Sequence, residues 1–469
     1  METMDGPRHP GRLLRSLLLL VCLALPALAA PAVASAEAET HTFRVPIAVE
    51  GYEVKQDIAV APHPEVDGFI TAMRTDIVDE DGRRVPIQRL MLHHIVFANL
   101  ARPDSTCQDV LGWDSETRFP APERFFAAGE ERARMVLPPG YGYRTAADDP
   151  WGLLYMVMNH RRAPDRAFIE YEVTVESDPS LQPVEPYWLD VRNCRADPIY
   201  NVPGTEESGS THVLSRDFEI AEDGRIVAGG GHVHGGAREL SLTQPACGNR
   251  ELARSTPTWG KAEHPFYNVR PILHEPGPIN MSAFTSESGI PVTAGQPLRL
   301  NSAYENSRPH TRVMGIMLVY VAPDPSVDDP CAPLPSDIQT HRTTKPGRAG
   351  PIPFRVPLTG LDRRGRAVDI SAPPGPLRRL SSGDVVTVGD RYFSPRNAVV
   401  DEGTRLRWRF FGSELHNLTL ANGPVGIASP NLNDGRGFSH RFGEPGTYRF
   451  FCAIHPVDMS ERLIVRPSR

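Results

Sequence analysis

The chain has 469 residues, too many for one hydrophobic core, and on length alone divides into two to four domains. Its 50 Lys and Arg against 57 Asp and Glu leave a net charge of −7, which gives no electrostatic footing for nucleic acid. With 47 prolines, 39 glycines and few amphipathic helical repeats, it reads as short strands joined by turns.

Residues 1–36 have the make-up of an export signal. Arg8, Arg12 and Arg15 precede the apolar run Ser16–Ala30, and Ala27-Leu28-Ala29 and Ala34-Ser35-Ala36 are small-residue cleavage candidates. The run is short for a membrane span, and no later segment is long enough for one. The expectation is a secreted or periplasmic protein with no integral membrane partner; an uncleaved anchor is the alternative. Cys22 would leave with the signal. Cys107, Cys194, Cys247, Cys331 and Cys452 remain, an odd set for an oxidising compartment. If Cys452 is a metal ligand, the other four form two disulfides, in any of three connectivities.

From about Thr42 to Val321 strand follows turn, as in "FIEYEVTVES" and "PLRLNSAYENS". No glycine-rich phosphate loop interrupts it, and no Ser-His-Asp or paired-carboxylate motif for acid–base hydrolysis stands out. Histidines punctuate the region. In "RLMLHHIVFANL", His93 and His94 are neighbours, and neighbouring strand residues point to opposite faces. Both reach one metal only if the strand is bulged or twisted there. His160 ends the apolar strand "LLYMVMNH". In "GGGHVHGGA", His232 and His234 are two apart on a strand, hence on one face and within reach of one ion, with glycines that allow close approach. In "PHTRVMGIMLVYV", Met314 and Met317 accompany an apolar strand, where methionine ordinarily packs a core, and His310 reads as a turn histidine.

Residues 326–383 are proline-rich and read as a semi-rigid linker, in which "PFRVPLTGL" has the pattern of an edge strand. From about Gly383 regular strands resume. His416 opens one of them; Cys452, His455 and Met459 follow within "FFCAIHPVDM". Two imidazoles, one thiolate and a weak methionine are the ligands of a blue-copper electron-transfer site. His440, on a strand before that turn, reads as a surface residue.

Residues 384–469 resemble a small cupredoxin of the plastocyanin/amicyanin kind. That resemblance implies a Greek-key β-sandwich with His416, Cys452, His455 and Met459 around a type 1 copper. The upstream order is His-His, then a single His after a strand, then His-x-His, then Met before an apolar strand. It resembles the copper type II, ascorbate-dependent monooxygenases, the family of peptidylglycine α-hydroxylating monooxygenase and dopamine β-monooxygenase, over residues 45–325. The resemblance implies two jelly-roll-like β-sandwiches, 42–185 and 186–325, facing each other across a solvent-filled gap. His93, His94 and His160 would hold an electron-transfer copper. His232, His234 and Met314 would form the catalytic, oxygen-activating copper site. The expected fold class is therefore all-β, three sandwiches in a row.

Gly230 and Gly231 stand where the peptide-amidating enzyme has an arginine for the substrate carboxylate, and Ile316 and Leu318 where it has polar residues facing substrate. A small organic substrate less polar than a glycine-extended peptide is expected. The whole implies a secreted monooxygenase with one type 1 and two type 2 coppers, using O2 and a one-electron donor, ascorbate or a redox protein. The C-terminal domain would relay electrons to the upstream copper, and the linker would raise its effective concentration there. The competing reading is a secreted copper-binding or electron-transfer protein without turnover. Zinc would accept the histidines but has little use for Met314.

Overall fold

The computed structural model describes residues 38–205, 207–343 and 350–468. The export signal expected at 1–36 lies outside the described residues. Among those described, two single-turn 3-10 helices, Pro245–Cys247 and Pro265–Asn268, are the only helical elements, and the rest of the regular structure is strand. No helix among them is long and apolar enough to cross a membrane.

The first sandwich packs a sheet built on Glu39–Val49, Asp165–Glu176 and Gly68–Val78 against a four-stranded sheet of Val54–Ala61, Trp151–Asn159, Leu90–Pro103 and Pro122–Gly129. Asp165–Glu176 shows why: every second residue, from Ala167 through Ile169, Tyr171, Val173 and Val175, is buried while its neighbours are not. Leu90–Pro103 differs, being buried on both faces over most of its length. Leu92, Ile95 and Phe97 enter the sandwich core, while Met91 joins a separate apolar cluster on the other side.

In the second sandwich Glu185–Asp190, Gly315–Pro323, Gly224–Val233 and Ala283–Val292 form one sheet. Thr211–Glu219, Pro297–Glu305, Ala237–Gln244 and Arg250–Ser255 form the other. The two sandwiches rest against each other. Ile316, Leu318 and Tyr320 of the second belong to one continuous core with Phe125 and Phe126 of the first, and the Tyr320 hydroxyl donates to the Phe125 carbonyl at 2.8 Å.

The segment 326–383 is more structured than its prolines suggest. Gln339–His341 adds a fifth strand to the second sandwich, against Ala283–Thr285, and Leu358–Leu361 pairs with Ala367–Ile370 as a hairpin. Arg378–Arg379 already belongs to the C-terminal sheet, beside Asn397–Asp401. The C-terminal sandwich itself has a five-stranded and a four-stranded sheet around Trp408, Phe442, Tyr448 and Phe450. Among the described residues, Cys107–Cys194 and Cys247–Cys331 are the two disulfides, and Cys452 is free and buried.

Candidate metal centres

In the C-terminal domain, His416 follows the turn at Ser413–Leu415 and is fixed by paired backbone bonds to Leu432. Cys452, His455 and Met459 share one turn: the Cys452 amide donates to the Met459 carbonyl at 3.1 Å, and the His455 and Met459 amides donate back to Cys452 and His455. Across the gap, His416 Nδ1 and His455 Nδ1 stand 3.1 Å apart, and Cys452 Sγ is 3.8 Å from His455 Nδ1. Atoms each about 2 Å from one ion lie roughly 3 to 4 Å from one another, so this spacing fits a common metal. The His416 outer nitrogen bonds Asp390 at 3.2 Å, and the His455 outer nitrogen lies 3.2 Å from the Glu414 carboxylate as a charge contact without hydrogen-bond geometry. The Asn417 amide points at Cys452 Sγ at 3.4 Å. Burial pushes the thiol up and holds His455 down at about 4. Met459 is fully buried in the same core as Cys452. His440, expected at the surface, is partly buried between exposed neighbours and packs edge-on against the buried Phe442 at 5.0 Å.

Upstream, the strand Leu90–Pro103 carries a bulge opposite Met156 and Val157: His94 pairs with Met156, but Leu92 pairs with Val157. His93 is the extra residue. The bulge turns both rings to the same region, with centroids 5.3 Å apart. His232 and His234, at the end of Gly224–Val233, have centroids 5.2 Å apart. The two sets meet: the His93 centroid is 5.0 Å from His234 and 4.7 Å from His274. Four of the ligands implied for two coppers across a solvent-filled gap, His93, His94, His232 and His234, therefore sit in one cluster, because the shared core draws the sandwiches together. The glycines around His232 and His234 make room for neighbouring side chains. A Cβ on Gly231 would stand 2.8 Å from Ser255 Oγ, and one on Gly236 would stand 2.0 Å from the His310 ring.

Four of the rings are held by one nitrogen. His160 Nδ1 bonds the Pro271 carbonyl at 2.9 Å, His93 Nδ1 bonds Glu130 Oε1 at 2.6 Å, and His232 Nδ1 bonds Glu131 at 3.1 Å. His274 Nε2 also bonds Glu130. The opposite nitrogens of His160, His232 and His274, together with His94 Nδ1 and His234 Nε2, are buried without a hydrogen-bond partner. An unpartnered buried polar atom costs about 1–3 kcal/mol, and five such nitrogens are a donor set that fits a metal ion. Burial pushes His94 and His234 well below the usual imidazole range and His160 to about 4, so these rings keep a free lone pair at neutral pH. Burial is the largest influence on His232 and lowers it, but the charge and hydrogen bond of Glu131, with the Glu130 charge, together raise that ring.

Met314 is buried at the foot of the strand Gly315–Pro323, and its carbonyl accepts from Tyr304 at 2.6 Å. His310 is not the turn residue expected: it lies in the strand His310–Val313, fully enclosed between Glu275 at 2.9 Å and Glu305 at 3.3 Å. Two cavities flank the histidines, and His94 and Met314 line both. One, of about 950 Å³, lies between the sandwiches with walls that include Val96, Phe126, Met135, Phe284 and Leu318. The other, of about 560 Å³, has His93, His234 and His274 in one wall and Glu414, Ile454 and His455 of the C-terminal domain in another. That domain is docked. Thr311 Oγ1 donates to Leu420 O at 2.8 Å, Arg312 reaches Asn431 at 3.2 Å and Asp197 at 2.6 Å, and Val457 joins the cluster of Met91, Met158 and Trp259.

Three groups in the upstream cluster escape sequence reasoning: Glu130, Glu131 and His274. Glu130 and Glu131 end the apolar strand Pro122–Gly129, where two buried acids in "RFFAAGEE" are the available signal. His274 stands alone in the proline-bounded "PILHEPGP", with no ligand spacing to mark it.

A family model described as "Stress up-regulated Nod 19" matches residues 159–324, a span that includes His160, His232, His234, His274 and Met314. No curated protein matches the chain. Among solved structures, a novel purple cupredoxin from Nitrosopumilus maritimus is 28% identical, with 17% of this chain and 97% of that one covered and a TM-score of 0.16. A reduced-state amicyanin mutant is 26% identical, with 18% and 80% covered and a TM-score of 0.16. The reduced Cu(I) form of another amicyanin mutant is 23% identical, with 19% and 86% covered and a TM-score of 0.17.

Proposed function

We propose that the chain is a secreted copper-dependent monooxygenase with its own electron-transfer domain. The observation that carries the reading is the cavity shared by His455 and the histidine cluster, five of whose imidazoles keep a buried, unpartnered nitrogen. Copper at the two places would supply one-electron transfer and activation of oxygen. The balanced reaction takes R–H, O2, two electrons and two protons to R–OH and water. The electrons come from ascorbate or a redox protein.

The chain's own residues have separable tasks. His455 is the C-terminal ligand that faces the shared cavity, which makes it the exit for an electron toward His93 and His274. Thr311 and Arg312 hold the two domains in register, so the donor stays at a high effective concentration. Glu131 and the Pro271 carbonyl orient His232 and His160. The larger cavity, walled by Val96, Phe126, Phe284 and Leu318, suits an apolar or weakly polar small molecule and keeps bulk water from its reacting carbon. Two disulfides fit export to an oxidising compartment.

Quantitative EPR of the copper-loaded, oxidised protein tests the reading. One type 1 signal with two type 2 coppers per chain is expected, magnetically coupled if they sit as close as the rings. A type 1 signal alone would remove the enzyme and leave an electron carrier. Cys452→Ser then tests the relay: turnover with a protein donor should vanish while turnover with excess ascorbate persists. Equal loss with both donors sinks it.

A further inference from the structure

His274 reaches the upstream cluster from an irregular segment, between the turn Pro265–Asn268 and the short strand Asn280–Met281. Its ring centroid is 4.7 Å from that of His93. Its Nε2 is bonded to Glu130, and its Nδ1 is buried with no partner. This is the same division seen in His160 and His232, one nitrogen anchored and one bare.

Glu130 is fully engaged. Its Oε1 takes His93 Nδ1 at 2.6 Å and also His274 Nε2, and its Oε2 takes the Gly277 amide at 3.0 Å. Two ligands of one ion lie roughly 3 Å or more apart, so the 2.6 Å approach of His93 to Glu130 is a hydrogen bond rather than shared coordination. With both rings donating N–H to this carboxylate, the tautomer of each is fixed, and the lone pair is left on the far nitrogen: Nε2 of His93 and Nδ1 of His274.

We propose that His274 is a further ligand, through Nδ1, of the copper centre formed by His93, His94 and His160, and that Glu130 is the positioning residue that orients His274 and His93 together. The assignment rests on the reading that the upstream cluster binds copper. It gives that centre a ligand from the second sandwich, so the centre spans the junction of the two.

The test uses the full chain loaded with copper, in four forms besides wild type: His274→Ala, His274→Gln, Glu130→Gln, and His212→Ala as a control away from the cluster. Pulsed EPR counts imidazole nitrogens on the type 2 signal, chelator competition gives copper affinity, and the type 1 signal with a thermal melt checks folding. The His274 variants should lose one imidazole coupling and bind the upstream copper at least about 10-fold more weakly. Glu130→Gln should keep the coupling count but lose about 10- to 100-fold in affinity. His212→Ala should change neither. An unchanged imidazole count and affinity in folded His274→Ala overturns the assignment. If neither His274 variant folds, the wild-type count decides: four imidazoles on one type 2 copper uphold it, and three overturn it. Absence of any type 2 copper in wild type removes the copper reading and the assignment with it. Copper that shows the His274 coupling but turns over no substrate leaves His274 a ligand and removes only the monooxygenase.

Discussion

In the C-terminal domain three of the four candidate ligands, Cys452, His455 and Met459, come from one turn whose backbone bonds close on themselves, and His416 is held by an isolated β-bridge to Leu432 of the same small domain. Upstream, the imidazoles come from four separate segments between His93 and His274. They converge only because two sandwiches share a core through Phe125, Phe126, Ile316 and Tyr320. A site made by one turn takes the order of its ligands from its own domain. A site made by docking inherits every strain in the docked surfaces. Mutations should therefore separate the two sites, each change sparing the site it does not touch.

The largest separation is expected from Cys452→Ser, which should abolish the visible thiolate-to-copper absorption outright while leaving upstream copper binding unchanged. Loss of both would mean that the centres are not independent. Gly129→Ala attacks the docked centre without touching a ligand. Its Cβ would stand 2.6 Å from Glu131 Oε2 and 2.7 Å from His232 Cε1, so the ring and its carboxylate must part. Upstream copper affinity should fall about 10-fold or more, with the type 1 absorption intact, as chelator titration would show.

Next in size is a pH effect confined to the upstream frame. Asp190 is fully buried, and burial raises its carboxyl to about 6 despite Arg124 nearby. Since the folded value lies above the unfolded one, Asp190 favours folding below about pH 4, and that advantage is lost as pH rises through 6. Asp190→Asn should add about 2–3 kcal/mol to stability at pH 7 and little at pH 4. Melts at the two pH values check this, and a gain of equal size at both would refute it. The smallest effect is expected at the domain contact. Arg312→Ala removes bonds to Asp197 and Asn431 and should cost about 1.5–3 kcal/mol. Both copper signals should survive, and the electron transfer between them should slow severalfold in flash-reduction traces.

Legibility in the sequence follows the same divide. The all-β class shows in alternation such as that of Asp165–Glu176, and the grouping of Cys452, His455 and Met459 in one turn shows in their spacing, since both are local patterns. The pairing of His93 with His94 is readable as a condition, that the strand be bulged, and the bulge opposite Met156 meets it. The strand Gln339–His341 was hidden because proline-rich composition speaks for its neighbours and not for a three-residue edge. Glu130, Glu131 and His274 carry no periodic signal, because their partners are set by the docking of sandwiches. His310 looked like a turn residue for the same reason: Glu275, one of its two carboxylates, comes from a distant loop.

Val457 lies within the turn that carries Cys452, His455 and Met459, yet it packs among Met91, Met158, Trp259 and Phe266 of the other domains. One residue of that turn is thus braced by the other domains. Cut free, the C-terminal domain would keep its ligands but lose the clamp on the loop between them. The reorganisation energy of electron transfer depends on how little such a loop moves between redox states. The isolated domain should therefore exchange electrons more slowly with itself than the same domain does within the whole chain.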